Sequence, residues 1–191
     1  MIITISGTPG SGKSTIASSL AKALPAERIY VGGIRRELAR EKGMTLEELN
    51  QYALTHPETD VDVDQKAAHR ARELSASGKN VLVEGRTQYH FLPESIKIYI
   101  KVDFEEGARR IWNEMQDQER KQARNEGTIS SLDEMKRDLH RRQENDQQRY
   151  RQYYNLNLAD ESQYDFVIDT TSLTADEATQ KVLAFLHQNH P

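Results

Sequence analysis

Cysteine is missing from this chain, which excludes disulfides and thiolate metal sites. No apolar run approaches the length of a membrane span, and nothing at the amino end reads as a cleavable leader: Met1 leads straight into a short strand-like run. A surplus of positive charge is missing too. The 26 Lys and Arg are outnumbered by 30 Asp and Glu, for a net charge of -4, which argues against a general binder of nucleic acid or of membrane surfaces. Hydrophobic residues are scarce, at 36%, and charged ones plentiful, at 29%. That balance suits one modest core with long solvated helices, and 191 residues suit a single domain, 1–191. The apolar runs are discrete and regularly spaced, unlike those of a disordered chain. No internal repeat or low-complexity linker separates them. The expectation is a cytoplasmic monomer with no membrane partner and no stable nucleic-acid partner.

What is present starts with Gly7-Thr8-Pro9-Gly10-Ser11-Gly12-Lys13-Ser14-Thr15. An apolar run, 1–5, precedes it and a helical pattern, 15–24, follows. Strand, glycine-rich turn, Lys-Ser and helix together make the P-loop signature G-x-x-x-x-G-K-[ST]. Its glycines let the backbone approach a phosphate chain closely. The loop's N–H groups then form an anion nest, and the next helix adds its positive end. Lys13 supplies a mobile charge for the outer phosphates, and the Ser14 hydroxyl is placed to ligate Mg²⁺. Residues 7–15 are therefore the expected binding set for a nucleoside triphosphate.

Further strands are expected at 28–31, 80–83, 96–100 and 164–168, the second ended by Gly32 and Gly33. The alternation in 96–100 suggests a less covered strand. Helices are expected at 34–42, closed by Gly43, at 45–54, opened by a Thr45/Glu48 capping box, and at 59–77, closed by Gly78. Others run from 103 to about 124, from Ser131 with Glu134 to about 154, and onward from Thr174 with Glu177. Short apolar strands alternating with helices give an α/β domain with a parallel sheet. Ligands of such sheets bind at the carboxyl ends of the strands. That rule selects the P-loop, 32–36, 84–86 and 169–172.

Arginine placement says what else binds. Arg35 and Arg36 follow the second strand, Arg86 follows the third, and Arg110 lies on a later helix. Arg142 and Arg149 lie two turns apart on one helix, with Asp146 between them. Guanidinium forks take phosphate oxygens two at a time, so several around one cleft imply two anionic groups brought together. A phosphate monoester carries roughly −1.5 to −2 charge at neutral pH and needs no general base, because its oxygen is already ionised. It needs positive charge that closes over both groups and excludes water. Any single arginine between 109 and 151 reads equally well as part of a solvated face. Asp60, Asp62 and Asp64 open a helix, where acids commonly answer the macrodipole. Asp64 is singled out because that segment should face the acceptor. His69, His90 and His140 have no metal-ligand spacing.

On Gly-Thr-Pro-Gly-Ser-Gly-Lys-Ser-Thr at 7–15, Arg-Arg-Glu-Leu-Ala-Arg-Glu-Lys-Gly-Met-Thr at 35–45, Glu-Gly-Arg at 84–86, Arg-Tyr at 149–150 and Tyr-Asp-Phe-Val-Ile-Asp-Thr-Thr at 164–171, the chain resembles the nucleoside monophosphate kinases. The likeness is strongest to the archaeal-type cytidylate kinases and covers nearly the whole length. It implies a P-loop NTPase core with a five-stranded parallel sheet (1–31, 79–108 and 160–191), a monophosphate-binding helical insert (32–78) and a helical lid (109–159). It implies phosphoryl transfer from MgATP to CMP or dCMP. Arg36 and Arg86 match residues that hold the acceptor phosphate. Arg142, Asp146 and Arg149 match an Arg-x-x-x-Asp-x-x-Arg pattern serving ribose and phosphate. Lys13 would follow the transferred group, Ser14 would hold Mg²⁺, and Glu84 either orients a metal-bound water or pairs with a site cation. The expected catalytic set is Lys13, Arg142 and Arg149. The expected acceptor set is Arg36, Asp64, Arg86, Asp146 and Arg149.

The chain departs from that pattern at Val31 and Thr87, where bacterial cytidylate kinases carry a serine and an aspartate that touch the base. Thr87, Gln88 or His90 is left to read the base instead. Arg120, Lys121, Gln122 and Arg124 make the lid long. Two alternatives stay open. One is a small P-loop kinase for another monophosphate or for an alcohol, which would need Glu84 or Asp64 as a base. The other is a nucleotide-dependent module gripping RNA or protein through 109–151, against which the interleaved acids there argue.

Overall fold

The computed structural model describes residues 1–117 and 129–189. Its five strands are β1 (Ile2–Gly7), β2 (Ala26–Tyr30), β3 (Asn80–Glu84), β4 (Ile96–Lys101) and β5 (Phe166–Asp169). They pair in parallel in the order β2-β3-β1-β4-β5, as short apolar strands separated by helices must when each connection crosses the sheet. The helices are α1 (Lys13–Ala23), α2 (Val31–Glu41), α3 (Leu46–Tyr52), α4 (Glu58–Ala76), α5 (Gln88–Phe91), α6 (Phe104–Glu114), α7 (Leu132–Tyr154) and α8 (Ala175–Asn189). A 3₁₀ turn, Glu161–Gln163, precedes β5.

Both faces of the sheet are covered. Ile3, Ile5, Ile98 and Ile100 pack with Ile16 and Leu20 of α1 and with Val182 and Leu186 of α8. Val81 and Val83 pack with Ala67, Ala68, Ala71 and Leu74 of α4, whose small side chains let the helix sit close to the strands. Leu82 and Ile98 are sealed from solvent, and truncating either to alanine costs about 2–5 kcal/mol. A separate cluster, Ala108, Ile111, Met115, Met135 and Leu139, joins α6 to α7.

Most expected boundaries hold within two residues. Thr45 and Glu48 make both bonds of a capping box, and so do Thr174 and Glu177. Ser131 caps α7, but Glu134 reaches back to Ser130 N, at 2.7 Å. Gly32 and Gly33 do not end β2; they lie in the first turn of α2. Their missing side chains make room for Tyr30, since a Cβ on Gly33 would stand 2.6 Å from Tyr30 Cδ1. β4 is not a poorly covered strand but an interior one, between β1 and β5, and its alternation reflects half-buried Lys97, Tyr99 and Lys101 on one face. α5 and the 3₁₀ turn were not expected, and neither is long enough to leave a periodic signal. The helix foreseen to run to 124 is described as far as Glu114, followed by a turn. The expected break at 126–128 and the lid residues Arg120, Lys121, Gln122 and Arg124 lie outside the described residues. Helices α2, α3 and α4 fall between β2 and β3, and α6 and α7 between β4 and β5. No helix among the described residues is long and apolar enough to cross a membrane.

Candidate active site

The turn after β1 is built from backbone. Gly12 caps α1 in the left-handed region, at φ 79°, and no side chain occupies the amides of the first turn. Those donors and the positive helix end face the cleft that Gly12 to Thr15 line. Gly10, at φ 76°, packs so tightly on α6 that a Cβ there would meet Gly107 O at 2.3 Å. Thr8 N donates to Ile100 O at 3.1 Å, and Thr170 Oγ1 lies 3.0 Å from Ser11 O. The loop is thereby tied to β4 and to the end of β5. Arg110 reaches across from α6 to donate to the carbonyls of Thr170, at 2.8 Å, and Thr171, at 3.1 Å.

Glu84, at the carboxyl end of β3, joins this cradle from below. Its Oε1 accepts from Ser14 Oγ at 2.5 Å and from Lys13 Nζ at 3.3 Å, and its Oε2 accepts from Arg28 Nη2. Burial pushes its pKa up, but Lys13, Arg28 and Ser14 outweigh burial and hold it below the ordinary carboxylate value. Burial also lowers the Lys13 pKa, with Arg86 adding to the effect against the pull of Glu84. Among the described residues no cluster of three or more His, Asp or Glu is arranged for a metal. Ser14 with Glu84 is instead a pair of hard oxygen donors beside a phosphate nest, the donor type that suits Mg²⁺ when phosphates complete its shell.

The opposite wall is made of side chains from several elements. Arg36 donates to Tyr30 OH at 2.8 Å and to Gly32 O at 3.0 Å. Arg86 pairs with Asp146 Oδ2 from α7. Burial works against ionised Asp146, but Arg86, Arg149 and Arg142 together hold its pKa below the usual value. Asp64 lies deeper. It accepts from Thr87 Oγ1 and Gln88 Nε2, each at 2.8 Å, and from Tyr154 OH at 3.0 Å. Burial dominates there, and the Asp64 pKa is raised to about 6. The two walls enclose a cleft of about 390 Å³, large enough for more than one phosphorylated group.

The sequence profile of a family described as an AAA domain matches residues 3–152. Cytidylate kinase from Methanocella arvoryzae is 38% identical over 175 residues, covering 92% of this chain and 90% of that protein. Cytidylate kinase from Archaeoglobus fulgidus is 34% identical over 184 residues, covering 96% and 93%. The chain belongs to the cytidylate kinase family. Solved structures at lower identity share the fold. Thymidylate kinase from Candida albicans superposes with a TM-score of 0.57 at 17% identity, over 98% of this chain and 91% of that one. Shikimate kinase from Acinetobacter baumannii, in complex with shikimate, gives 0.56 at 20% identity, over 99% and 94%.

Membership in the cytidylate kinase family bears out the resemblance read from the motifs and makes the protein a P-loop kinase. Within that family frame, residues 7–15, Arg36, Asp64, Arg86, Arg142 and Asp146 all line the one cleft. Arg149 does not. It is 0% exposed, and its nitrogens are spent on Asn145, Asp146 and Asp60. Contact with a phosphate was expected of it, and its geometry is that of a buried strut. Of the three residues considered for reading the base, Thr87 lines the cleft, Gln88 is buried behind it and His90 is exposed. Three contributors escaped the sequence analysis. Arg28 sits at an interior position of a strand, an unusual place for a charge. Asp60 was read as a helix-dipole acid, and Tyr154, at helical spacing with Tyr150 and Tyr153, suggests packing on sequence alone. Asp60 and Asp64 in fact share a helical stripe with the buried residues Ala67, Ala71 and Leu74, and that spacing was the available signal.

Proposed function

We propose that this kinase transfers the terminal phosphoryl group of MgATP to CMP or dCMP, giving the diphosphate and ADP. One observation carries the reading: Arg36, Arg86 and Arg142, from three separate regions, line the cleft beside the phosphate nest. A monoester phosphate brought against a polyphosphate needs this concentration of positive charge. Glu84 and Asp64, the two carboxylates considered as a base for an alcohol acceptor, are both engaged. Glu84 is held by Lys13, Ser14 and Arg28, and Asp64 by Thr87, Gln88 and Tyr154. The names of the relatives favour cytidine as the nucleoside.

In this reading the amides of residues 7–15 hold the donor phosphates, and Lys13 follows the group in flight. Ser14 and Glu84 would hold Mg²⁺, which when bound neutralises charge on the donor phosphates. Arg36 and Arg86 grip the acceptor phosphate and orient its oxygen in line with the donor, while Arg142 offsets charge that develops between them. Asp64 and Thr87 face the base, where a carboxylate suits the exocyclic amine of cytosine. Arg149 serves through Asp146. The enzyme works as a cytoplasmic monomer, a state that sizing in solution checks.

The test is a panel of nucleoside monophosphates and small alcohols with coupled detection of ADP. CMP and dCMP should give the highest kcat/KM. Faster turnover of an alcohol, or ATP hydrolysis without any acceptor product, would overturn the reading.

A further inference from the structure

Arg149 is the largest fully buried side chain among the described residues. Two of its partners, Asn145 and Asp146, lie on its own helix. The third, Asp60, comes from α4, 89 positions away in sequence. Asp60 is 1% exposed. Its Oδ2 accepts from Arg149 Nη1, and its Oδ1 accepts from Arg35 Nη1. Arg35 is itself anchored by Thr59 O at 3.1 Å and Asn50 Oδ1 at 3.0 Å. Asp146, beyond Arg149, pairs with Arg86.

Five charges thus alternate in sign through the interior: Arg35, Asp60, Arg149, Asp146 and Arg86. They belong to α2, α4, α7 and the turn after β3, and only the last two and Arg35 reach the cleft wall. A helix-dipole acid needs no burial and no guanidinium on either side, so a dipole role leaves this arrangement unexplained. Placing a carboxylate out of water between two arginines is costly unless its geometry is tightly held, and in some proteins such buried ion pairs specify an arrangement rather than add stability.

We propose that Asp60 is a positioning residue for phosphoryl transfer: it holds Arg149, Arg149 holds Asp146, and Asp146 aims Arg86 at the acceptor phosphate. The inference rests on the reading of the acceptor as a nucleoside monophosphate and extends it. Acceptor affinity is set by a residue that touches neither substrate, and donor affinity is not.

Asp60→Asn keeps the shape of the side chain and removes its charge. Wild type and variant are compared in KM for CMP at saturating ATP, in KM for ATP at saturating CMP, and in melting temperature. The expected result is a rise in acceptor KM of about tenfold, a smaller fall in kcat, and a KM for ATP that stays within about twofold. Asp60→Glu, which retains the charge, recovers part of the acceptor affinity. Arg149→Lys raises acceptor KM as well, and the double variant is no worse than the poorer single one, because both act on the same link. Should Asp60→Asn fail to fold, Asp60→Glu and Arg149→Lys carry the same comparison. An acceptor KM unchanged in the folded variants, an equal rise for both nucleotides, or single effects that multiply in the double variant would each overturn the proposal. Wild type is assayed first: no turnover of any monophosphate sinks the functional reading itself, whereas turnover with an unmoved acceptor KM sinks only the role of Asp60.

Discussion

On the proposed function, the two halves of the cleft solve one problem, holding phosphate, by different means. The donor half is backbone: nine consecutive residues, an uncapped helix start and close contacts that only glycine permits. The acceptor half is side chains, drawn from α2, α4, α7 and the turn after β3. One buried carboxylate from each half shows the difference, because the two behave oppositely. Glu84 is ringed by Lys13, Ser14 and Arg28 and stays below its usual pKa. Asp64 has hydroxyl and amide partners and, among the described residues, no paired cation, and burial lifts it to about 6. A preorganised nest needs little from the rest of the chain, whereas a wall of guanidinium groups has to be held apart and aimed, and the acids between them do that work.

The largest effect should come where the donor half departs from backbone. Lys13 is the one charged side chain among residues 7–15, so Lys13→Ala should lower kcat by roughly 10²–10³-fold, the cost typical of losing one charge-stabilising donor. KM for ATP should change far less, since the amide nest remains. An ATP affinity that collapses together with kcat would show that the nest is not self-sufficient. Next is Arg86→Ala, which removes an acceptor ligand and strands Asp146. Its acceptor KM should rise by about 10–100-fold with some loss of kcat, and its KM for ATP should stay near wild type. An unaltered rate with CMP would remove Arg86 from the site. Smaller again is Gly10→Ala. The new Cβ meets Gly107 O at 2.3 Å in a left-handed backbone, so stability should fall by about 1–3 kcal/mol. KM for ATP should rise while KM for CMP does not, as steady-state kinetics beside thermal melting would record. Equal changes in both KM values would deny that the halves are separable.

The same contrast explains what could be read in the sequence. The P-loop is contiguous, and strand, turn and helix announce it together, so its nine residues could be singled out as a block, and all nine line the cleft. The sheet and its order of elements were legible for a related reason: each strand is a discrete apolar run and each helix carries its own cap, as Thr45 and Thr174 do. The acceptor wall is assembled across the fold. Arg36, Arg86, Arg142 and Asp146 were found because they follow strands or share a helix face. Whether a guanidinium ends in the cleft or beneath it depends on what stands opposite, and Arg149 meets Asp60 from 89 positions away. No local pattern encodes that meeting. A weaker trace was available in the continuation of Asp60 and Asp64 into the alanine stripe of α4, a stripe that is apolar against β3 and acidic at Asp60, beneath the cleft, and at Asp64, on its wall.

The finest test of the contrast is proton linkage at Asp64. A folded-state pKa near 6, above that of an exposed carboxylate, means that the native protein holds this proton more tightly than the unfolded chain does. Stability from this group is therefore fully present below the unfolded value, near 4, and is lost as pH rises from there through about 6, after which it is level. Asp60 reinforces the upward shift, while Thr87, Tyr154 and Arg35 oppose it without cancelling it. Asp64→Asn carries no such proton, so the melting temperature of wild type relative to the variant should decline between about pH 4 and 6 and then stay constant. A difference that is flat across that window would mean that folding does not raise the Asp64 pKa. Acceptor binding offers a second reading of the same proton. The second ionisation of a phosphate monoester also falls near pH 6, but it is common to both proteins. In the ratio of wild-type to variant KM for CMP it cancels, leaving only the change at the wall of the base pocket. That ratio should rise as pH falls below about 6, where a protonated Asp64 accepts from the cytosine amine more weakly than the carboxylate does.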